Sequence, residues 1–77
     1  MPSKVVAYVL VVTTVGAEHK AIEEIKVIEG VVLAQTVYGE FDVICRVESD
    51  NLKDLDDSIT KVRKIKNILR TMTLISG

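Results

Sequence analysis

The feature that most limits the fold of this 77-residue chain is a strand–helix–strand pattern that occurs twice. In each half the apolar residues recur at the spacing of a strand, then of a helix, then of a strand again. Two such units with right-handed crossovers give a four-stranded antiparallel sheet with both helices on one face. The sequence therefore predicts an α+β fold, the ferredoxin-like βαββαβ plait, with strand order 4-1-3-2. The halves align without gaps over their second crossings, where Ile25, Ile28, Gly30, Val31, Ala34 and Thr36 match Val62, Ile65, Asn67, Ile68, Thr71 and Thr73.

The pattern also predicts where each element begins and ends. Gly30 and its counterpart Asn67 are expected as left-handed residues that end the helices. The two-residue spacer Gly39-Glu40 indicates a tight hairpin between the second and third strands. Ser49 or Asp50 is expected to cap the second helix, whose apolar stripe is Leu52, Leu55, Ile59, Val62 and Ile65. The predicted strands cover residues 4–13, 31–38, 41–48 and 68–76, and the first helix covers 17–28.

The third strand alternates in a way that leaves one sheet face without a cover. One side carries Phe41, Val43, Cys45 and Val47, and the other carries Asp42, Ile44, Arg46 and Glu48. The first strand is apolar on both sides, so aliphatic side chains also remain on the face that the helices do not reach. Because 48% of the residues are apolar and a chain this short is marginal alone, we expect two sheets to pack face to face as a dimeric α/β sandwich.

Composition excludes several classes of function. A net charge of −1, from 10 basic and 11 acidic residues, is not the electrostatic footprint of a nucleic-acid-binding protein. The apolar run Val5–Val12 is too short to span a membrane. The single Cys45 forms no internal disulfide, which favours a reducing, cytoplasmic setting. No Cys-x-x-Cys metal loop, nucleophile–base set or cofactor motif is present, so we expect one domain over residues 1–77, no cofactor and no enzyme activity.

Asp42 is the first candidate for a binding residue. It stands at the start of a strand that otherwise favours burial, where a carboxylate is costly unless a hydrogen-bond donor meets it. Because the chain has no cluster of basic residues nearby, we expect the donor to come from a ligand or a partner subunit. The alternative is a turn residue that binds its own hairpin, and spacing alone favours neither.

Thr71 and Thr73 are the second candidates. They lie two residues apart on the last strand, so their hydroxyl groups share one face and could bind a small polar ligand. The alternative is the ordinary preference of threonine for strands.

Taken together, these motifs resemble a known family. The hairpin Gly39-x-x-Asp42 and the segment Arg70–Thr73, in order after Ala7, Val9, Gly16 and Gly30-Val31, are similar to the effector-binding domain of the Lrp/AsnC transcriptional regulators, also called the RAM domain. Because Met1-Pro2-Ser3 leads directly into the first strand, the chain looks like a stand-alone RAM domain without the helix-turn-helix that binds operator DNA.

The resemblance implies a mechanism of effector sensing. Domains of this family pair through their sheets, and the dimers form rings of eight or ten chains with amino acids bound between dimers. Gly39 would then allow close backbone approach, and Asp42 would face the ammonium group of the ligand. The remaining cleft residues would be Tyr38, Glu40, Thr71 and Thr73. Full-length Lrp/AsnC regulators are the expected partners of such a domain in mixed assemblies.

Two other classes of protein share this kind of plait. A small dimeric isomerase or cofactor-free oxygenase would need an acid–base residue between the sheets, and the only histidine, His19, lies on a helix start. An ACT-type regulatory domain also binds amino acids, but its subunits pair differently.

Overall fold

A computed structural model, which describes residues 4–76, shows a strand–helix–strand unit that occurs twice. The strands form one antiparallel sheet in the order β2-β3-β1-β4, which is the predicted order 4-1-3-2 read from the opposite edge. The predicted ferredoxin-like plait is therefore confirmed. In chain order the elements are β1 (Val5–Thr13), α1 (Glu18–Lys26), β2 (Val31–Thr36), β3 (Val43–Ser49), α2 (Leu52–Arg63) and β4 (Ile68–Ser76).

Both helices pack on the same face of the sheet, which we call the covered face. Ile25 of α1 and Leu55 and Val62 of α2 belong to one hydrophobic cluster with the inward residues of the strands. Along most of β1 and β3, buried side chains on the covered face alternate with partly exposed ones on the opposite face, because a strand presents successive side chains to opposite faces. The fully buried strand residues are Ala7, Val9, Val11, Val43, Cys45 and Val47.

The opposite face carries no helix, and we call it the open face. The cross-strand pairs place one row of side chains there in the order Leu33, Arg46, Tyr8, Leu74. Leu33 and Leu74 are 43% and 54% exposed. The prediction of an uncovered aliphatic face is thus confirmed. The other open-face residues in regular register are Val6, Leu10, Val12, Gln35, Ile44, Glu48, Arg70, Met72 and Ser76.

The start of α2 differs from the sequence-based prediction. Asn51, and not Ser49 or Asp50, is the N-cap: its backbone is extended and its side-chain oxygen accepts from the backbone N–H of Asp54 at 2.9 Å. Asp50 instead forms an exposed ion pair with Lys4 at 3.3 Å. Leu52 was expected on the buried stripe, but it is the first residue of the helix and is 61% exposed.

The turn after α1 requires a glycine. Gly30 has φ +95°, and a Cβ there would lie 3.0 Å from the Ser58 hydroxyl oxygen and 3.1 Å from the Glu48 carbonyl oxygen. The Ser58 hydroxyl also donates to the Glu29 carbonyl at 2.7 Å, which fastens α2 to this turn. The matching prediction for Asn67 is wrong, because no non-glycine residue in the described part of the chain has positive φ. The Asn67 carbonyl instead accepts from the Thr14 N–H at 2.9 Å.

Candidate functional site

The connection between β2 and β3 is a six-residue loop, residues 37–42, and not the tight two-residue hairpin that the sequence indicated. β2 ends at Thr36 and β3 begins at Val43, so the ladder stops earlier than predicted on both strands. The loop is closed by the Val37 N–H, which donates to the Asp42 carbonyl at 3.0 Å. The Asp42 N–H donates to the Val11 carbonyl at 2.8 Å, toward β1 and away from β2. Asp42 therefore ties the end of the loop to β1.

Asp42 fixes the base of this loop. One carboxylate oxygen, Oδ2, accepts from the backbone N–H of Thr13 at 2.9 Å, where β1 ends. The expectation that the donor would come from outside the chain is therefore wrong for this oxygen. The physical reason is that the last residue of β1 leaves an amide without a ladder partner, and a half-buried carboxylate satisfies it. In the described residues, this is the only hydrogen bond of the carboxylate group, so Oδ1 remains for another donor.

The tip of the loop points away from the rest of the chain. Tyr38 is 99% exposed, and Glu40 is also exposed. Gly39 has φ +123°, and nothing lies within 4 Å of the position where a Cβ would stand. The glycine is thus required by its backbone conformation and not by crowding within the chain, and its backbone is open to close approach from outside.

The two threonines lie on the edge strand β4, near the end of the sheet that carries Asp42. Thr71 of β4 pairs with Val11, and Thr73 pairs with Val9, so both hydroxyl side chains are on the covered-face side of an edge strand. They are half-buried. Val11 therefore has Thr71 on one side and Asp42, bonded to its carbonyl, on the other. The structure brings Asp42 and Thr71 to one end of the sheet, with Thr73 two pairs further along.

The loop and the threonines do not form a closed pocket within one chain. No hydrogen bond in residues 4–76 joins residues 37–41 to Thr71 or Thr73. A shallow cavity of about 230 Å³ includes Thr71, together with Arg63, Ile68, Leu69 and Arg70. A second cavity of about 450 Å³ lies at the far end, between Gly30 and the start of α2. Neither is lined by a residue of the loop, so on this chain the candidate site is an exposed surface.

Sequence reasoning missed one contact that ties the loop to β4. The Arg70 guanidinium carbon lies 5.5 Å from the centroid of the Phe41 ring, a cation–π geometry. Phe41 was predicted to extend the inward row of the third strand, but it lies in the loop and is only half-buried. The signal was present: Phe41 is the single phenylalanine of the chain, beside a glycine and two acids in a segment that resembles a turn.

Other chemically active groups offer no second candidate. Burial raises the pKa of the Cys45 thiol to about 11, so the sulfur stays protonated and unreactive at neutral pH. His19 is exposed on α1, away from the open face. Within residues 4–76, no three His, Cys, Asp or Glu side chains are placed to hold a metal ion. Neither of the described helices combines the length and the apolar character that crossing a membrane would require.

Chains similar to this one are found among solved structures. A search of curated proteins finds no match. Among solved structures, the hypothetical protein PHS023 from Pyrococcus horikoshii is 44% identical with a TM-score of 0.88, over 95% of this chain and 89% of that chain. FFRP-DM1 is also 44% identical with a TM-score of 0.88, over 95% of this chain and 99% of that chain.

A more distant structure shows the same fold in a longer chain. It is a feast or famine regulatory protein from M. tuberculosis complexed with L-methionine, 23% identical with a TM-score of 0.75, over 94% of this chain and 49% of that chain. The model of the Lrp/AsnC ligand binding domain matches residues 6–76, nearly the whole chain. Together with the βαββαβ sheet, this match establishes that the chain belongs to the Lrp/AsnC ligand-binding domain family.

Proposed function

We propose that this chain is an effector-binding regulatory domain that senses an amino acid and acts through its own assembly, without enzyme activity, in the cytoplasm. The observation that carries the proposal is the loop 37–42, which is anchored at its base and exposed at its tip. Asp42 holds the base through the Thr13 N–H at 2.9 Å, while Tyr38 is 99% exposed. An anchored loop with no pocket of its own suits a cleft that a neighbouring subunit completes.

The residues of the cleft are assigned from this geometry and from the family. Oδ1 of Asp42 accepts from the ammonium group of the amino acid, the kind of charge-assisted bond that contributes about 1.5–3 kcal/mol. Gly39 permits close approach of the ligand or of a second chain to the loop backbone. Tyr38, Glu40, Thr71 and Thr73 line the rest of the cleft, with the threonines at the end of the sheet that also carries Asp42.

Assembly follows from the open face and from the loop separately. The aliphatic open face pairs with the same face of a second copy, because hiding apolar area contributes about 25 cal/mol per Å² before association costs. Dimers then meet through their loops in rings of eight or ten chains, with the clefts between dimers. A bound amino acid stabilises only the assembly whose clefts are complete, so it shifts the population of assembled states. Full-length Lrp/AsnC regulators are the partners that such a domain joins.

The test separates the charge of Asp42 from its structural role. Asp42→Asn keeps an oxygen that can accept from the Thr13 N–H but removes the negative charge, whereas Asp42→Ala removes both. Calorimetry with the twenty amino acids first identifies the ligand of the unmodified protein. Asp42→Asn should then weaken its binding about tenfold or more, since a charge-assisted bond is lost.

The matched control is Asp56→Asn on the exposed side of α2, which removes the same charge far from the loop. It should leave the dissociation constant unchanged. Equal binding by the unmodified protein and by Asp42→Asn would show that the ligand lies elsewhere. No binding of any amino acid by the unmodified protein would refute the sensing function.

A further inference from the structure

The centre of the open face is polar, although its surroundings are aliphatic. Arg46 is the middle residue of β3, and Tyr8 is its cross-strand partner on β1, so both belong to the two inner strands. Leu33 and Leu74 lie at the two ends of the same row. Glu48 follows two residues after Arg46 on the same face.

These side chains form one connected group. Arg46 Nε donates to Glu48 Oε2 at 2.9 Å, and Arg46 Nη1 donates to the Tyr8 hydroxyl oxygen at 3.2 Å. The guanidinium carbon also lies 5.7 Å from the Tyr8 ring centroid. A guanidinium has five N–H donors, and these two bonds leave the others to water. In the single chain the Arg46 and Glu48 side chains are 40% and 27% exposed, so water reaches both.

A second sheet on this face would remove that water. The remaining donors of Arg46 and the second oxygen of Glu48 would then be buried, which is costly unless the covering surface supplies matching groups. A purely apolar partner cannot supply them. A second copy of this chain can, because a two-fold axis brings the same patch against itself. A two-fold axis that passes near the centre of the face would set Arg46 of one copy opposite Glu48 of the other, and the reverse contact would follow by symmetry.

We propose that Arg46 and Glu48 form a reciprocal ion-pair network with the same residues of a second copy, and that this network determines which chains pair through the open face. The inference rests on the proposed face-to-face dimer and adds a rule for the choice of partner. A chain pairs well when it presents a cation and an anion in this arrangement at the centre of its sheet. A chain with like charges there is rejected, because like charges opposed across an interface repel.

The test is a subunit-exchange experiment with a charge-swapped variant. The double variant Arg46→Glu/Glu48→Arg keeps the net charge and the pair within the chain, and it restores reciprocal pairs in its own homodimer. A mixed dimer sets the Arg46 of the unmodified chain against the new cation at position 48. After mixing equal amounts, native mass spectrometry should show the mixed dimer depleted about tenfold or more below the statistical share.

The control swap is Asp57→Lys/Lys61→Asp on α2, where both side chains are exposed in the helical layer behind the covered face. That variant should exchange freely and give a mixed dimer twice as abundant as either homodimer. If the variant swapped at positions 46 and 48 also exchanged freely, the inference would be overturned and the proposed dimer would stand. An unmodified protein that stays monomeric at high concentration would overturn both the dimer and the inference.

Single variants keep the inference testable if the double swap does not fold. Arg46→Gln and Glu48→Gln each leave one charge of the network without a partner under the second sheet. Each should raise the dimer dissociation constant about tenfold or more, with an unchanged circular dichroism spectrum. Dissociation constants equal to that of the unmodified protein in both variants would overturn the network.

Discussion

The covered face and the open face are built from alternate residues of the same strands, yet they differ in what they can tolerate. In β1 the inward residues Ala7, Val9 and Val11 are fully buried, while their neighbours Tyr8 and Leu10 stay partly accessible. The covered face is apolar at the centre of the sheet, from Ala7 to Val11 of β1 and from Val43 to Val47 of β3, and it is closed by two helices. The open face also carries aliphatic side chains, but a cation and an anion, Arg46 and Glu48, lie near its centre.

The difference shows that hydrophobicity alone does not define the role of a face. The covered face needs no polar selectivity, because its partners are helices of the same chain that connections of a few residues hold in place. In the proposed dimer the open face selects its partner from solution, so charges that are costly to mismatch would serve there as a criterion. Stability of the fold and affinity of the dimer should therefore respond to different residues.

The largest expected effect belongs to the covered face. Leu55→Ala removes a side chain that is 1% exposed, and we expect the free energy of unfolding to fall by about 2–5 kcal/mol through lost burial and a residual cavity. Leu52→Ala is the matched control on the same helix, since Leu52 is 61% exposed, and it should change stability by less than about 0.5 kcal/mol. Urea denaturation at one fixed protein concentration measures both. Equal losses in the two variants would contradict the assignment of the covered face.

A smaller effect is expected on the open face, in association and not in folding. Leu10 lies between Ile44 and Met72 in the register of the sheet, and Leu10→Ala removes apolar area from both copies in a dimer. We expect association to weaken by about 1–3 kcal/mol, as measured by sedimentation over a dilution series. Val27→Ala, at a residue 84% exposed after α1, should leave the dissociation constant unchanged. A Leu10→Ala dimer as tight as the unmodified one would place the dimer contact on another surface.

Much of this fold was predictable from the sequence because its signals are periodic. Alternation in β1 and β3 and the apolar stripe around Leu55 identify the elements, and Gly30 marks the turn that only glycine fits. The errors fell where one local hydrogen bond decides the structure. Asn51 and not Asp50 caps α2, because the Asn51 side chain reaches the Asp54 N–H. Sequence spacing does not distinguish adjacent polar residues as caps.

The sequence pointed to Asp42 as a candidate site residue but did not indicate its bonding within the chain. The position of Asp42 at a strand start indicated a carboxylate that needs a hydrogen-bond donor. That donor, the Thr13 N–H, is 29 residues away in the sequence. Only the register between β1 and β3 shows that the last amide of β1 lies beside that carboxylate. A second contact of the same residue is also distant in the sequence, because the Asp42 N–H bonds to the Val11 carbonyl of β1 and not to β2. Long-range pairing of this kind leaves no periodic trace in the sequence.

The smallest expected effect comes from a titratable group of the covered face. Burial raises the pKa of the Cys45 thiol from 9.0 to about 11. Between these values the unfolded chain loses the thiol proton while the native protein keeps it, so the unfolded state binds fewer protons. The free energy of unfolding should therefore be unaffected by this group below about pH 9 and should fall as the pH rises toward 11, by at most about 1.4 kcal/mol per pH unit.

Comparison with Cys45→Ala isolates the contribution of this thiol to the pH dependence of stability. The alanine variant loses stability through its cavity, but that loss is independent of pH. The stability difference between the two proteins should thus shrink from about pH 9 upward, when urea denaturation is repeated across the range. The same burial predicts slow alkylation of Cys45 by iodoacetamide near pH 8 until urea unfolds the chain. Fast alkylation of the folded protein, or parallel pH profiles, would mean that the covered face admits water to β3, and the contrast between the two faces would lose its basis.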